Sequence, residues 1–321
     1  RTVMLGLLVL GFLTGCSPAP QNGEPVDVGP ISTPTGPTTT TMPFAAYIPD
    51  DDELQTLHKA RNALVNACVA EFGLKGVLDT PADDSILADI RQGTDLPRTL
   101  EQAQRYGYRN AGSEAADTPA GKRQPSRVSA AERRTKMLVL NGPAAVASQG
   151  AEPPSGLSTP RSGQNVKVDG KTVPRGGCLG RSDRKLEQGA PDLDAYGAHG
   201  KTALNVLLGI RFEAWTKAAQ DTAYRKMAAS WSSCMKKAGF VYDSFKAAAE
   251  DPEWSRTRRA GDRETAVATA DIRCRMQVNY LGVSEAVHLA YGKRAVEDNA
   301  ELLRAVGDYY DTLVRNAAKA A

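Results

Sequence analysis

The sequence predicts a mainly α fold: a long antiparallel helix pair with shorter N-terminal helices and a small β-hairpin, disulfide-linked. Three observations carry that expectation. Apolar residues recur three or four apart through Lys201–Ala238 and again through Asp262–Lys319, the spacing of helices that bury one face. Strand-like alternation occurs over one short stretch, residues 165–173. Cys68, Cys178, Cys234 and Cys274 stand in helical or turn-like sequence, where they can staple these elements together.

At the start, Val3 to Leu13 is an apolar run behind Arg1. It is shorter than the roughly 20 residues a spanning helix needs and suits the core of a signal peptide. It ends at Leu13-Thr14-Gly15-Cys16, which resembles the lipobox of bacterial lipoproteins. That resemblance implies removal of residues 1–15 and a lipid on Cys16, in place of an incidental thiol. Ser17 to Met42 is dense in Pro, Thr and Gly and has too few large apolar residues to bury anything. Residues 16–46 are therefore expected to form a lipid-anchored tether, about 28 Å in mean reach and ~80 Å if fully polyproline-like. Residues 47–321 are expected to form the helical ectodomain.

Within it, Asp50-Asp51-Asp52-Glu53 ahead of Leu54, Leu57, Leu64, Val65 and Cys68 reads as an acidic helix start. Ser85 to Arg91 and Pro97 to Tyr106 read as short helices, with Tyr106 and Tyr108 in the core. Residues 111–165 are expected to be a flexible insertion, with the basic run Lys122, Arg123 and Arg127 and a short helix at Ala130–Met137 leading to Gly142. Around Asp169-Gly170, residues 165–173 alternate as a two-residue hairpin does.

In the first long segment the stripe is Leu204, Leu208, Phe212, Trp215, Ala219, Met227, Trp231 and Cys234; in the second it is Ile272, Met276, Val283, Val287, Ala290, Leu302, Val306, Tyr309 and Leu313. Gly282, Gly292 and Gly307 each weaken the second helix by ~1 kcal/mol relative to Ala. A break near Gly282, capped by Ser284, is expected. On one straight helix Trp215 and Trp231 would face different sides, so both are expected to be structural, in a rod covered on two faces.

Four cysteines besides Cys16 allow three pairings. Cys68 and Cys234 share one local form: Cys, four residues, Gly, apolar. That is a helix closed by a left-handed Gly with an apolar residue folding back on the last turn. Cys274 follows in the next long helix and Cys178 lies in a Gly-rich turn, so the expected bridges are Cys234–Cys274 and Cys68–Cys178. Free thiols or a Zn site are the alternatives. No Cys-x2-Cys spacing occurs, and His58, His199 and His288 are far apart.

With 40 basic and 37 acidic side chains, the chain lacks the basic excess of a nucleic-acid binder. No Gly-x-Ser-x-Gly, phosphate-binding glycine loop or His-Glu-x-x-His occurs. No catalytic residue, cofactor or metal ligand is expected. The densest basic cluster is Arg256, Arg258, Arg259 and Arg263, read as a solvated turn before a phosphate contact. The lipobox, the Cys234-Met235-x3-Gly239-Phe240 element, Ala270 to Arg275 and the turn Pro174 to Gly180 together resemble uncharacterised secreted lipoproteins of actinobacteria. The resemblance implies membrane anchorage through Cys16 and a helical, disulfide-linked ectodomain, and it brings no activity. Three functions remain: an accessory that binds another envelope protein, a small-ligand or wall-polymer module, and an enzyme with a site built from scattered residues.

Overall fold

The computed structural model describes residues 26–34, 40–75, 85–92, 99–109, 129–148 and 166–320. After a short 3-10 turn at Pro43–Tyr47 come α1 (Asp51–Ala70), α2 (Ser85–Gln92), α3 (Leu100–Tyr106) and α4 (Ala130–Ser148). The hairpin β1 (Lys167–Val168) and β2 (Lys171–Thr172) follows, then α5 (Gly177–Leu186), α6 (Ala203–Ala218), α7 (Thr222–Lys237), α8 (Phe245–Ala249), α9 (Asp262–Gln277), α10 (Tyr280–Asp298) and α11 (Ala300–Ala320). The protein is mainly α. The hairpin pairs antiparallel in the register Val168 to Lys171, with Asp169 and Gly170 at positive φ, as a two-residue turn of this kind requires.

Both long segments are subdivided. The first breaks at Ala219 to Asp221, where the Asp221 carboxylate accepts from the Ala223 N–H at 2.7 Å and starts α7. The second breaks three residues before Gly282, at Asn279, which adopts φ 54°. Asn is among the few side chains that enter the left-handed region readily, so it turns the chain where Gly282 stays helical. Antiparallel packing holds along α10: Asp221 meets Tyr291 and Tyr224 meets His288. Before the turn, α9 runs with α7 instead, Trp231 meeting Asp271 and Cys234 meeting Cys274.

The glycines that weaken the second helix on paper have a different use. A Cβ at Gly282 would collide with the Ser32 carbonyl, one at Gly292 would lie 3.4 Å from the Pro43 ring, and one at Gly307 would lie 3.7 Å from the Tyr47 ring. The N-terminal segment passes over α10 and α11 at each of them. This corrects the expectation of a tether through residue 46: Met42 and Phe44 are buried, and Val28 packs with Met227, Tyr280, Val283 and Val287. The insertion is corrected in part as well. Residues 130–148 form α4, whose Leu138 and Val139 are buried with Val65, Val69 and Phe72; residues 111–128 and 149–165, including Lys122, Arg123 and Arg127, lie outside the described residues.

Three expected core residues are on the surface. Phe212 is 74% exposed and Met276 is 72% exposed, and Ala219 is exposed as well. Instead of the predicted face, α6 buries Ala203, Val206, Leu207, Ala214 and Ala218. Likewise α9 buries Glu264, Val267, Ala268, Asp271 and Ile272, and the break at 219–221 leaves no single stripe running on into α7. The same break separates the two tryptophans. Trp231 is fully buried, whereas Trp215, on α6, is half-buried, stacked on His288 and covered by the Arg211 guanidinium at 3.6 Å.

Candidate functional site

The bridges are Cys68–Cys178 and Cys234–Cys274, with Cα separations of 5.6 and 5.7 Å. At both helix ends a glycine takes positive φ, Gly73 at 73° and Gly239 at 90°. The following apolar residue returns its N–H to the last turn: Leu74 donates to Val69 at 3.2 Å and Phe240 donates to Met235 at 2.9 Å. The backbone reversal that the recurring motif implies is therefore present at each end. Cys16, the expected lipid attachment, lies outside the described residues.

Beside the second bridge sits a charged core that sequence reasoning missed. Asp271 accepts from Trp231 Nε1 at 2.8 Å, from Arg275 Nε at 2.7 Å and from the Tyr108 hydroxyl at 3.1 Å. About two turns earlier on α9, Glu264 accepts from the Tyr108 N–H and from Nε and Nη2 of Arg109. The same guanidinium donates to the carbonyls of Trp254 and Thr257. Both carboxylates are buried, and isolated charges there would cost several kcal/mol each.

Burial opposes the Arg275 charge, yet the Asp271 carboxylate beside it holds its pKa above the ordinary value. Its guanidinium also lies over the Phe245 and Tyr280 rings, at 4.6 and 4.5 Å. Burial, and then Asp271, push the Tyr108 phenol far above its usual range. Every charged group here has its partner, so the arrangement locks α3, α7 and α9 together. The only sequence signal was Asp271 four residues before Arg275 on a helix, a spacing shared by many solvated pairs.

A cleft lies between α6, α10 and the N-terminal segment. Its volume is about 710 Å3, and Val26, Glu213, Lys217, Tyr291, Arg294 and Asp298 are among the residues that line it. Lys217 pairs with Glu213 at 2.8 Å, a hydrogen bond that raises the lysine pKa. The Tyr291 hydroxyl donates to Asp221 at 3.3 Å, and burial raises its pKa. The lining offers balanced charge, Glu213 and Asp298 against Lys217 and Arg294, beside the apolar Val26, Ile210, Ala214 and Ala295, a mixture suited to holding a polar molecule.

The histidines fall on separate elements: His58 on α1, His199 in the turn ahead of α6, and His288 buried on α10. No three His, Cys, Asp or Glu side chains gather as a metal site among the described residues. In the basic cluster Arg256, Arg258, Arg259 and Arg263 are exposed, and Arg263 pairs with Glu253 at 2.9 Å. Asp83 and Asp84 lie outside the described residues, while Glu297 and Asp298 are exposed. No helix among the described residues is long and apolar enough to cross a membrane. Compared with known proteins, the chain matches no family model, no curated protein and no solved structure.

Proposed function

We propose that this is a lipid-anchored extracytoplasmic protein that works by binding another protein of the cell envelope, with no chemistry of its own. The observation that carries the location is the pair of disulfides in a chain that also contains Leu13-Thr14-Gly15-Cys16. Such bridges persist outside the reducing cytosol, and a lipid on Cys16 with a second contact gives stable anchorage. Binding is supported by large apolar side chains left in water on structured elements, Phe212 and Met276 above all. Buried charges that serve only one another favour a rigid scaffold over an enzyme.

A photo-crosslinking residue at Phe212 or Met276, introduced in cells that make the full chain, tests this reading. A discrete crosslinked protein is expected from one of these sites and not from Lys237, which is exposed and polar. Absence of any discrete product from both apolar sites would sink the binding proposal. The α6–α10 cleft favours a second reading, a polar small-ligand or wall-polymer module. In that case Lys217→Ala should abolish retention on purified wall material while leaving crosslinking intact.

A further inference from the structure

Residues 26–34 contain no helix or strand, yet they are seated. The Ser32 carbonyl accepts from Asn279 Nδ2 at 2.7 Å and fills the space that a side chain at Gly282 would need. Val28 joins the apolar cluster of Tyr280, Val283 and Val287. Farther on, Thr40 donates to Glu285, and Met42 N–H donates to the Arg91 carbonyl at 2.8 Å. Val26, the first described residue of this segment, lines the α6–α10 cleft with Lys217, Tyr291 and Asp298.

The anchor is therefore much closer to the fold than composition implies. From Cys16 to Val26 is ten residue steps, which span at most about 35 Å. A domain of this size is about 45 Å across. We infer that the α6–α10 edge around Val26 is the membrane-apposed surface, its partner the lipid headgroup layer that carries the Cys16 anchor. The inference rests on the lipid-anchor reading above. Charge does not hold this edge down, because Lys217 and Arg294 are matched by Glu213 and Asp298; the short leash does. The ectodomain works within about one diameter of the bilayer instead of ranging ~80 Å into the wall.

Full-length lipidated protein in phosphatidylglycerol–phosphatidylcholine vesicles, with an acceptor dye on a trace headgroup lipid, provides the test. A donor is placed at Gln220→Cys, on the cleft, or at Thr172→Cys, in the hairpin that packs in a separate core with α1 and α4. With both disulfides intact, transfer from position 220 should exceed that from position 172 about twofold or more, given the leash and domain dimensions. Adding Val28→Asp to the labelled chain unseats the segment without touching a helix, and the difference should then collapse. Equal transfer from the two sites, or a difference that survives Val28→Asp, overturns the inference while leaving the anchor in place. Vesicle flotation separates the two claims: a chain that fails to float with the lipid removes the anchor reading and this inference with it.

Discussion

Both α1 and α7 end in Cys, four residues, Gly and an apolar residue, and each cysteine is bonded to another element. What lies behind the bridges differs. The Cys68–Cys178 region buries Val65, Val69, Phe72, Leu138, Val139, Val166, Val168 and Val173, an apolar core closed by the hairpin. The Cys234–Cys274 region buries Trp231, Met235, Trp254 and Val267 around two carboxylates and their guanidinium partners. The first region joins segments far apart in sequence and depends on loop closure. The second joins near neighbours and depends on satisfied charge. One end motif thus serves two kinds of core, and only the core determines how each region fails.

The largest expected effect comes from opening the bridges. Closure of the 110-residue separation is worth about 5 kcal/mol and of the 40-residue one about 4 kcal/mol in the chain-entropy account. Cys68→Ser with Cys178→Ser should therefore lower stability more than Cys234→Ser with Cys274→Ser, by about 1 kcal/mol. Urea midpoints of the two double variants check the order. Should the second pair prove costlier, the charged core leans on its bridge for alignment, and the division drawn above between loop closure and charge is wrong.

Next in size is the charged core itself. Asp271→Asn keeps the shape but removes the charge that faces Arg275, even though its amide oxygen can still accept from Trp231 and Arg275 while its N–H2 donates to the Tyr108 hydroxyl. The expected loss is about 3–5 kcal/mol, the cost of leaving one buried charge uncompensated. Val139→Ala, in the apolar core, should cost about 2 kcal/mol. Chemical denaturation of the two single variants makes the comparison direct; equal losses would mean that water or a neighbour replaces the missing carboxylate.

How far the sequence reveals this architecture follows the same divide. The helix-end motif is local, and its backbone reversal is dictated by glycine, so residues 68–74 and 234–240, with Cys274 in the next helix and Cys178 in a Gly-rich turn, were enough to pair the bridges. The hairpin was legible for the same reason, through Asp169-Gly170. Long-range contacts left no local trace. Glu264 and Asp271 look like solvated acids until Arg109 and Tyr108 arrive from more than 150 residues away. Gly282, Gly292 and Gly307 look like weak points until residues 32, 43 and 47 lie across them. Asn279 reads as an ordinary polar residue, so the turn there stayed hidden; Phe212 and Met276 sit at apolar spacings that their own helices, α6 and α9, turn toward solvent.

The smallest effect lies at the edge of the charged region, and its pH dependence identifies it. The Tyr242 hydroxyl donates to Asp251 Oδ2 at 2.8 Å, while the Glu253 N–H donates to Oδ1 at 2.9 Å. Burial, then the bond to Asp251, push the phenol from 10.0 up to about 12. The Glu253 N–H first, and the Tyr242 hydroxyl second, hold Asp251 below its ordinary 3.8. A raised phenol pKa contributes stability that is complete below pH 10 and is lost as pH climbs from 10 to about 12. A lowered carboxyl pKa contributes stability that is complete above the ordinary value and is lost as pH falls below 3.8. Tyr242→Phe removes the bond, worth about 0.5–1 kcal/mol at a partly exposed site, and should lower Tm near pH 7 by about 1–3 °C. The gap between parent and variant should then close as pH approaches 12, because the parent loses what the variant never had. A gap that stays constant from pH 7 to 12 would show that the ring, and not the hydroxyl, is what Tyr242 contributes.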